Sequence, residues 1–156
     1  MKIFGIIANP SDFLELYLTN PSSFLLIGRS FLGLVMGTVS LPVIYWLGKK
    51  LFSRNVGLLS AFFRALSTLH VRDSHYACNN ILLMLMIMLF YLSIVQLLET
   101  YQNRYLIASA VFLGLNIETK YNAGLLLIPA LFAFIPLYGK DWSLKIKRII
   151  LFLLWV

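Results

Sequence analysis

The sequence predicts an all-α, multi-pass transmembrane helical bundle, with about five complete spans and the start of a sixth. Three observations carry that prediction. Of 156 residues, 60% are hydrophobic and 12% charged, and the mean hydropathy is +0.86. That leaves too few polar groups to cover a water-facing surface or to keep a chain disordered. Apolar segments recur at lengths that suit helices in lipid. Period-2 alternation is absent, which argues against a transmembrane barrel. In lipid each segment must close its own backbone hydrogen bonds, so the segments are helices.

Residues 1–8 carry one Lys and an apolar run too short for a signal peptide. Residues 12–19 read as a short interfacial helix, with Asp12 and Glu15 spaced as a capping box and Pro21 ending it. Residues 1–22 therefore form an interfacial segment and loop, and residues 23–156 a partial membrane domain. The spans follow at 24–47, 56–69, 81–98, 105–117 and 121–138. The second carries Arg64, and the third is interrupted by Ser93 and Gln96. The run 149–156 is shorter than the roughly 20 residues a crossing helix needs, so the chain reads as a fragment of something longer. Pro42, Pro129 and Pro136 are expected to kink their spans. Gly33 and Gly37 form a GxxxG that lets a second helix approach, within the chain or from another copy. Met84, Met86 and Met88 read as core or lipid-facing filler, and Cys78, the single cysteine, as a small buried hydrophobe.

Thirteen Lys and Arg face six Asp and Glu, a net charge of +7. With loops 48–55, 99–104 and 139–148 in the cytoplasm, Lys49, Lys50, Arg54, Arg104, Lys140, Lys145, Lys147 and Arg148 lie inside. Lys2, Arg29, Arg72 and Lys120 then lie on the opposite side, which is the positive-inside asymmetry. The positive charge is mostly loop charge, with no concentrated basic face for nucleic acid. Membrane lipid is the partner this pattern selects.

Polar groups at membrane depth need an account. Two strings, 70–80 and 116–122, fall on the non-cytoplasmic face in this topology. Each alone reads as an ordinary solvated loop. Together, beside short spans, they suggest a polar cleft. Arg72 and Lys120 are candidates to hold a phosphate there. Asp73 and Glu118 could neutralise them, bind a metal or transfer protons, and His75 joins the substrate-binding candidates. His70, Asp73 and His75 carry metal-ligating groups, but their spacing fits no helix face and no zinc motif, so no metal site is assigned. Arg64 reads as snorkelling or facing a groove. Nucleotide-binding glycine loops, a GxSxG elbow and an HExxH helix are all absent.

Residues 21–29 (PSSFLLIGR), 45–59 (YWLGKKLFSRNVGLL), 66–76 (LSTLHVRDSHY) and 119–123 (TKYNA) form an ordered series. In order and spacing it resembles the dolichyl-phosphate-mannose protein mannosyltransferase family, in the bacterial and archaeal branch that includes relatives of lipid A aminoarabinose transferases. The resemblance covers about residues 20–140. It implies a GT-C membrane glycosyltransferase that passes a sugar from a polyprenyl-phosphate carrier to a protein, lipid or glycan, on the side where charge places the two strings. A divalent metal is left open.

The resemblance also implies departures. The family's main acidic motif follows a first span that precedes anything in this chain. Asn80 stands where the family often has an acid, and Asn is no base. Thr68 replaces a common Pro, and Arg64 an apolar residue. The catalytic residues are therefore unassigned, and the chain is expected to be inactive alone, with missing halves of the same enzyme as possible partners. The alternatives are a transporter fragment or a non-catalytic multi-pass subunit.

Overall fold

The computed structural model describes residues 28–76, 78–137 and 142–156, together with Leu18, Thr19, Ser22 and Leu26. The expected capping box at Asp12 and Glu15 lies outside the described residues. Among the described residues every regular element is helical. We number them α1 (Arg29–Leu51), α2 (Arg54–Leu66), α3 (Thr68–His75), α4 (Asn79–Thr100), α5 (Asn103–Thr119), α6 (residues 121–137) and α7 (Trp142–Trp155). Two of these, α1 with 23 residues and α4 with 22, are long and apolar enough to cross a membrane. The segments expected as further spans form shorter helices, with 13 residues in α2 and 17 in α5.

Proline sets the winding of two helices. Residues Arg29–Gly37 of α1 are π-helical and Thr38–Leu51 α-helical. Pro42 has no N–H, so it cannot give the Gly37 carbonyl the i→i−5 bond that a π-helix requires. The Ser40 hydroxyl donates to that carbonyl instead, at 2.6 Å. In α6, Tyr121–Leu126 is a 3-10 helix and Leu127–Leu137 an α-helix. Pro129 falls in the first α-helical turn, where a missing N–H costs least. At Pro42 and Pro129 the expected kink is thus realised as a change of winding.

The helices α2 and α3 run back along α1 as one broken helix. Partners pair off down its length: Gly57 on Gly48, Arg64 on Ser40, His70 on Gly37 and Ser74 on Gly33. The break is at Ser67, whose backbone is extended (φ −62°, ψ 116°) and whose Oγ accepts from the His70 N–H at 3.4 Å. Ser53 caps α2 in the same way, accepting from Val56 N–H. A Cβ on Gly57 would lie 2.5 Å from the Tyr45 carbonyl oxygen, and one on Gly37 2.9 Å from Ser74 Oγ. The GxxxG of the sequence therefore receives α3 of the same chain.

The centre of the packing is α4. Val43 of α1 meets Leu85 and Met88 on one side of it. Phe90, Ile94 and Leu97 pack with Leu106, Ala110 and Leu113 of α5, Ala130 of α6 and Phe152 of α7 on the other. Met88 is thus core, whereas Met84 is exposed. Tyr101, in the left-handed conformation at φ 57°, ends α4 and turns the chain into α5. Three expected loops are corrected, and in one of them, 116–122, every residue but Lys120 lies in α5 or α6. Residues 70–75 are helical because Ser67 caps them and Gly33 and Gly37 give them a surface to pack on. The stretch 142–148 is helical too, since Ile149 and Phe152 anchor α7 in the core and no Gly or Pro interrupts it.

Candidate functional site

The chain's polar chemistry collects where α3 crosses the start of α1. Because residues 68–75 are helical, their side chains leave in different directions. His70 and Ser74 face the α1 glycines. Asp73 turns inward and is buried, at 5% exposure. Arg72 and His75 point into a cleft of about 390 Å³, lined with Arg29 and Tyr76. A second cavity of about 610 Å³ adjoins it and shares Arg29 and His75. Its walls are largely apolar, with Leu26, Leu34, Leu41, Ala65 and Val71 beside His70 and Ser74. Among the described residues, an open apolar groove therefore lies beside a basic cleft, a surface suited to an amphiphile with an anionic head.

Asp73 is committed elsewhere. Its Oδ1 accepts from Arg72 Nε at 3.1 Å and Nη2 at 2.9 Å. Its Oδ2 accepts from Asn80 Nδ2 at 3.2 Å. The bonds from Arg72, and next the bond from Asn80, hold its carboxyl below the usual carboxylate range. A carboxylate so stabilised is a poor base at neutral pH. Among the described residues, neither cavity is lined by an Asp or Glu. The arrangement can bind and orient an anion, and among the described residues its walls offer the imidazoles of His70 and His75 but no free carboxylate.

The structure thus brings Arg72, Asp73, His75 and Asn80 together around one helix. Glu118 and Lys120 stand exposed at the end of α5 and line neither cavity. The turn at Tyr101 makes α5 return along α4, so 116–122 lies toward the same end of α4 as Asn80. Asn116 of that string is fully buried, and its Nδ2 donates to the Phe112 carbonyl. Among the described residues no three His, Cys, Asp or Glu side chains converge as a metal site would require.

One cleft residue was missed by sequence reasoning, while Arg64 faces a neighbouring helix, in keeping with its expected place at a groove. Arg29 lines both cavities, though in the sequence it is only a charge before a span. Its placement opposite the cytoplasmic loops, together with Arg72, was the available signal. Arg64 reaches across to α1, where its Nε donates to Ser40 Oγ at 3.1 Å.

Residues 24–156 match the family model described as dolichyl-phosphate-mannose-protein mannosyltransferase. No curated protein and no solved structure matches the chain.

Proposed function

The chain belongs to the dolichyl-phosphate-mannose-protein mannosyltransferase family, and from that premise we propose that it serves an integral, multi-pass membrane glycosyltransferase by holding the phosphate of a polyprenyl-phosphate sugar between Arg29 and Arg72. The observation that carries the reading is the pair of adjoining cavities with Arg29 and His75 common to both. The lipid chain lies along the apolar groove and the phosphate sits at its basic end.

The chemistry needs such a basic end. The bond between the sugar's anomeric carbon and the phosphate oxygen breaks, the carbon gains positive character, and the leaving phosphate gains negative charge. Two guanidiniums stabilise that charge as it develops. The acceptor hydroxyl, of a protein, lipid or glycan, forms the new bond and loses its proton to a carboxylate. Asp73, bonded to Arg72 and Asn80, is not that carboxylate. Among the described residues the lining of this cleft therefore accounts for donor binding, and a carboxylate base has to reach it from elsewhere.

A membrane setting is supported by the apolar α1 and α4 and by the large exposed side chains along α2, Leu58, Leu59, Phe62, Phe63 and Leu66. In this reading the Arg29–Arg72 end faces away from the cytoplasm, and the end with Lys49, Lys50 and Arg54 faces it.

Equilibrium binding of a polyprenyl phosphate to the full chain in lipid nanodiscs tests the proposal. Arg29→Gln and Arg72→Gln should each weaken binding about tenfold or more, as loss of a hydrogen bond to a charged group does. The unphosphorylated polyprenol should compete poorly. Equal affinity for the two lipids, or wild-type affinity in both variants, would sink it. A transporter is the second reading, favoured by the break at Ser67 beside a cavity. It requires flux of a solute that phosphate-lipid binding does not.

A further inference from the structure

The short helix α3 lies against α1 over Gly33 and Gly37, beside a carbonyl that is bonded to Ser40. The Gly37 oxygen accepts from Ser40 Oγ, and Ser40 Oγ accepts from Arg64 Nε. The His70 ring lies against Gly37 from α3, its Cε1 3.8 Å from where a Gly37 Cβ would stand. Arg64 Nη2 and His70 Nδ1 are both buried without a hydrogen-bond partner. Among the described residues the cluster thus holds one guanidinium and one imidazole, and the charge of nearby Asp73 acts on the ring in the opposite sense to Arg64 but more weakly.

A neutral imidazole fits beside Arg64. An imidazolium would set a second positive charge against it, in a setting less screened than water. The charged and titratable groups around it are few. Arg64 faces it from α2, and Arg29 of α1 lines the same cavity. On α3 itself are Arg72, Asp73 and His75, and Asp73 is already bonded to Arg72 and Asn80. From α4 comes Asn80, which is neutral, while Glu99 lies at that helix's far end.

The helix has room to respond. It is eight residues long, with extended Ser67 before it and a turn at Tyr76 after it. Its contact with α1 runs over Gly33 and Gly37, a surface with no side chains to interlock.

We propose that α3 is a proton-controlled clasp: with His70 neutral it stays docked on Gly33 and Gly37, and with His70 protonated it is repelled by Arg64 and swings off α1, parting Arg72 and His75 from Arg29. The clasp stands on this packing, and only its effect on donor binding rests on the glycosyltransferase reading.

The sign follows from linkage. Burial, and next the Arg64 charge, hold the docked imidazole below its ordinary value of 6.5. The undocked state therefore binds the proton more readily. Docking is complete above that ordinary value and is lost as pH falls from it toward the docked value.

Amide hydrogen exchange of the full chain in nanodiscs, corrected for intrinsic rates, reads the clasp directly. Protection across 68–75 should drop about tenfold or more between pH 7.5 and pH 5.5, a tenfold change being one pH unit of linkage. Protection in the core around Phe90, Leu97 and Leu106 should hold. His70→Gln, neutral at both values, should stay protected at both, and His75→Gln should behave as the wild type. A flat wild-type profile overturns the proposal. So does a drop that persists in His70→Gln, or a His70→Gln chain unprotected at both values. Because no donor is present, failure here leaves the donor-binding reading untouched.

Discussion

The Asn80 side-chain amide donates to Asp73 Oδ2 at 3.2 Å, joining the first turn of α4 to α3. With Arg72 on the other oxygen, the carboxylate is bonded at both ends. Asn80 is therefore in direct contact with the buried acid of α3.

Asn80→Asp should place two carboxylates against each other. The amide donor is lost and a like charge replaces it, so the pair titrates as a unit with its upper step raised. In the native chain, the Asp73 contribution is present above the ordinary carboxyl value of 3.8 and is lost as pH falls through the lower folded value. In the variant, stability should be reduced at pH 7 and should recover as pH falls through the raised step. Thermal unfolding at a series of pH values checks this. A variant with the native pH profile would show that the Asn80 contact is not felt.

A methyl group at Gly57 should separate α1 from α2. Its Cβ would stand 2.5 Å from the Tyr45 carbonyl oxygen and 3.0 Å from the Lys49 nitrogen, both backbone atoms that move only with their helix. Overpacking of this kind costs about 1–3 kcal/mol. Gly124 is the control, with nothing within 4 Å of its Cβ position. Gly124→Ala should leave stability within about 0.5 kcal/mol of wild type or raise it slightly. Denaturation in detergent of both variants reads the difference, and equal effects would refute the close crossing.

Lys50 at the end of α1 forms an ion pair with Glu99 at the end of α4. The side chains are 30% and 46% exposed, so water and salt screen the pair. A double-mutant cycle with Lys50→Gln and Glu99→Gln should give a coupling of about 0.2–1 kcal/mol that shrinks at high salt. The pair matters more as a landmark, because it sets the 48–55 and 99–104 loops at the same end of the molecule. A coupling of zero at low salt would remove that landmark.

What could be read in advance follows from the range of the forces. Apolar runs and charge asymmetry are local in sequence, so the helices and the grouping of the Lys50 and Glu99 loops were legible. The extent of α3 was not, because its polar residues look like a loop until Gly33 and Gly37 give them a partner surface some forty positions away. Nor was Arg29 legible as a cleft residue. Its place depends on α3 lying beside the π-helical turns of α1, and no periodicity in residues 29–37 announces that winding. Asp73 was legible as a charge, but not as one already spent on Arg72 and Asn80.

Tyr101 supplies the last prediction. It is the single non-glycine with positive φ among the described residues, at 57°. The left-handed region costs an ordinary L-residue roughly 1–2 kcal/mol, because Cβ crowds the following carbonyl. Glycine avoids that crowding and is the common residue at this point of a helix end. Glycine also loses more freedom on folding, and the Tyr101 ring is 56% exposed, so little packing is given up. The balance favours Tyr101→Gly by up to about 1 kcal/mol. Tyr101→Ala, which keeps the Cβ and removes only the ring, should show no such gain. Unfolding midpoints of the two variants separate backbone from ring. A larger gain in the alanine variant would mean that the ring, not the backbone, is the unfavourable element at this turn.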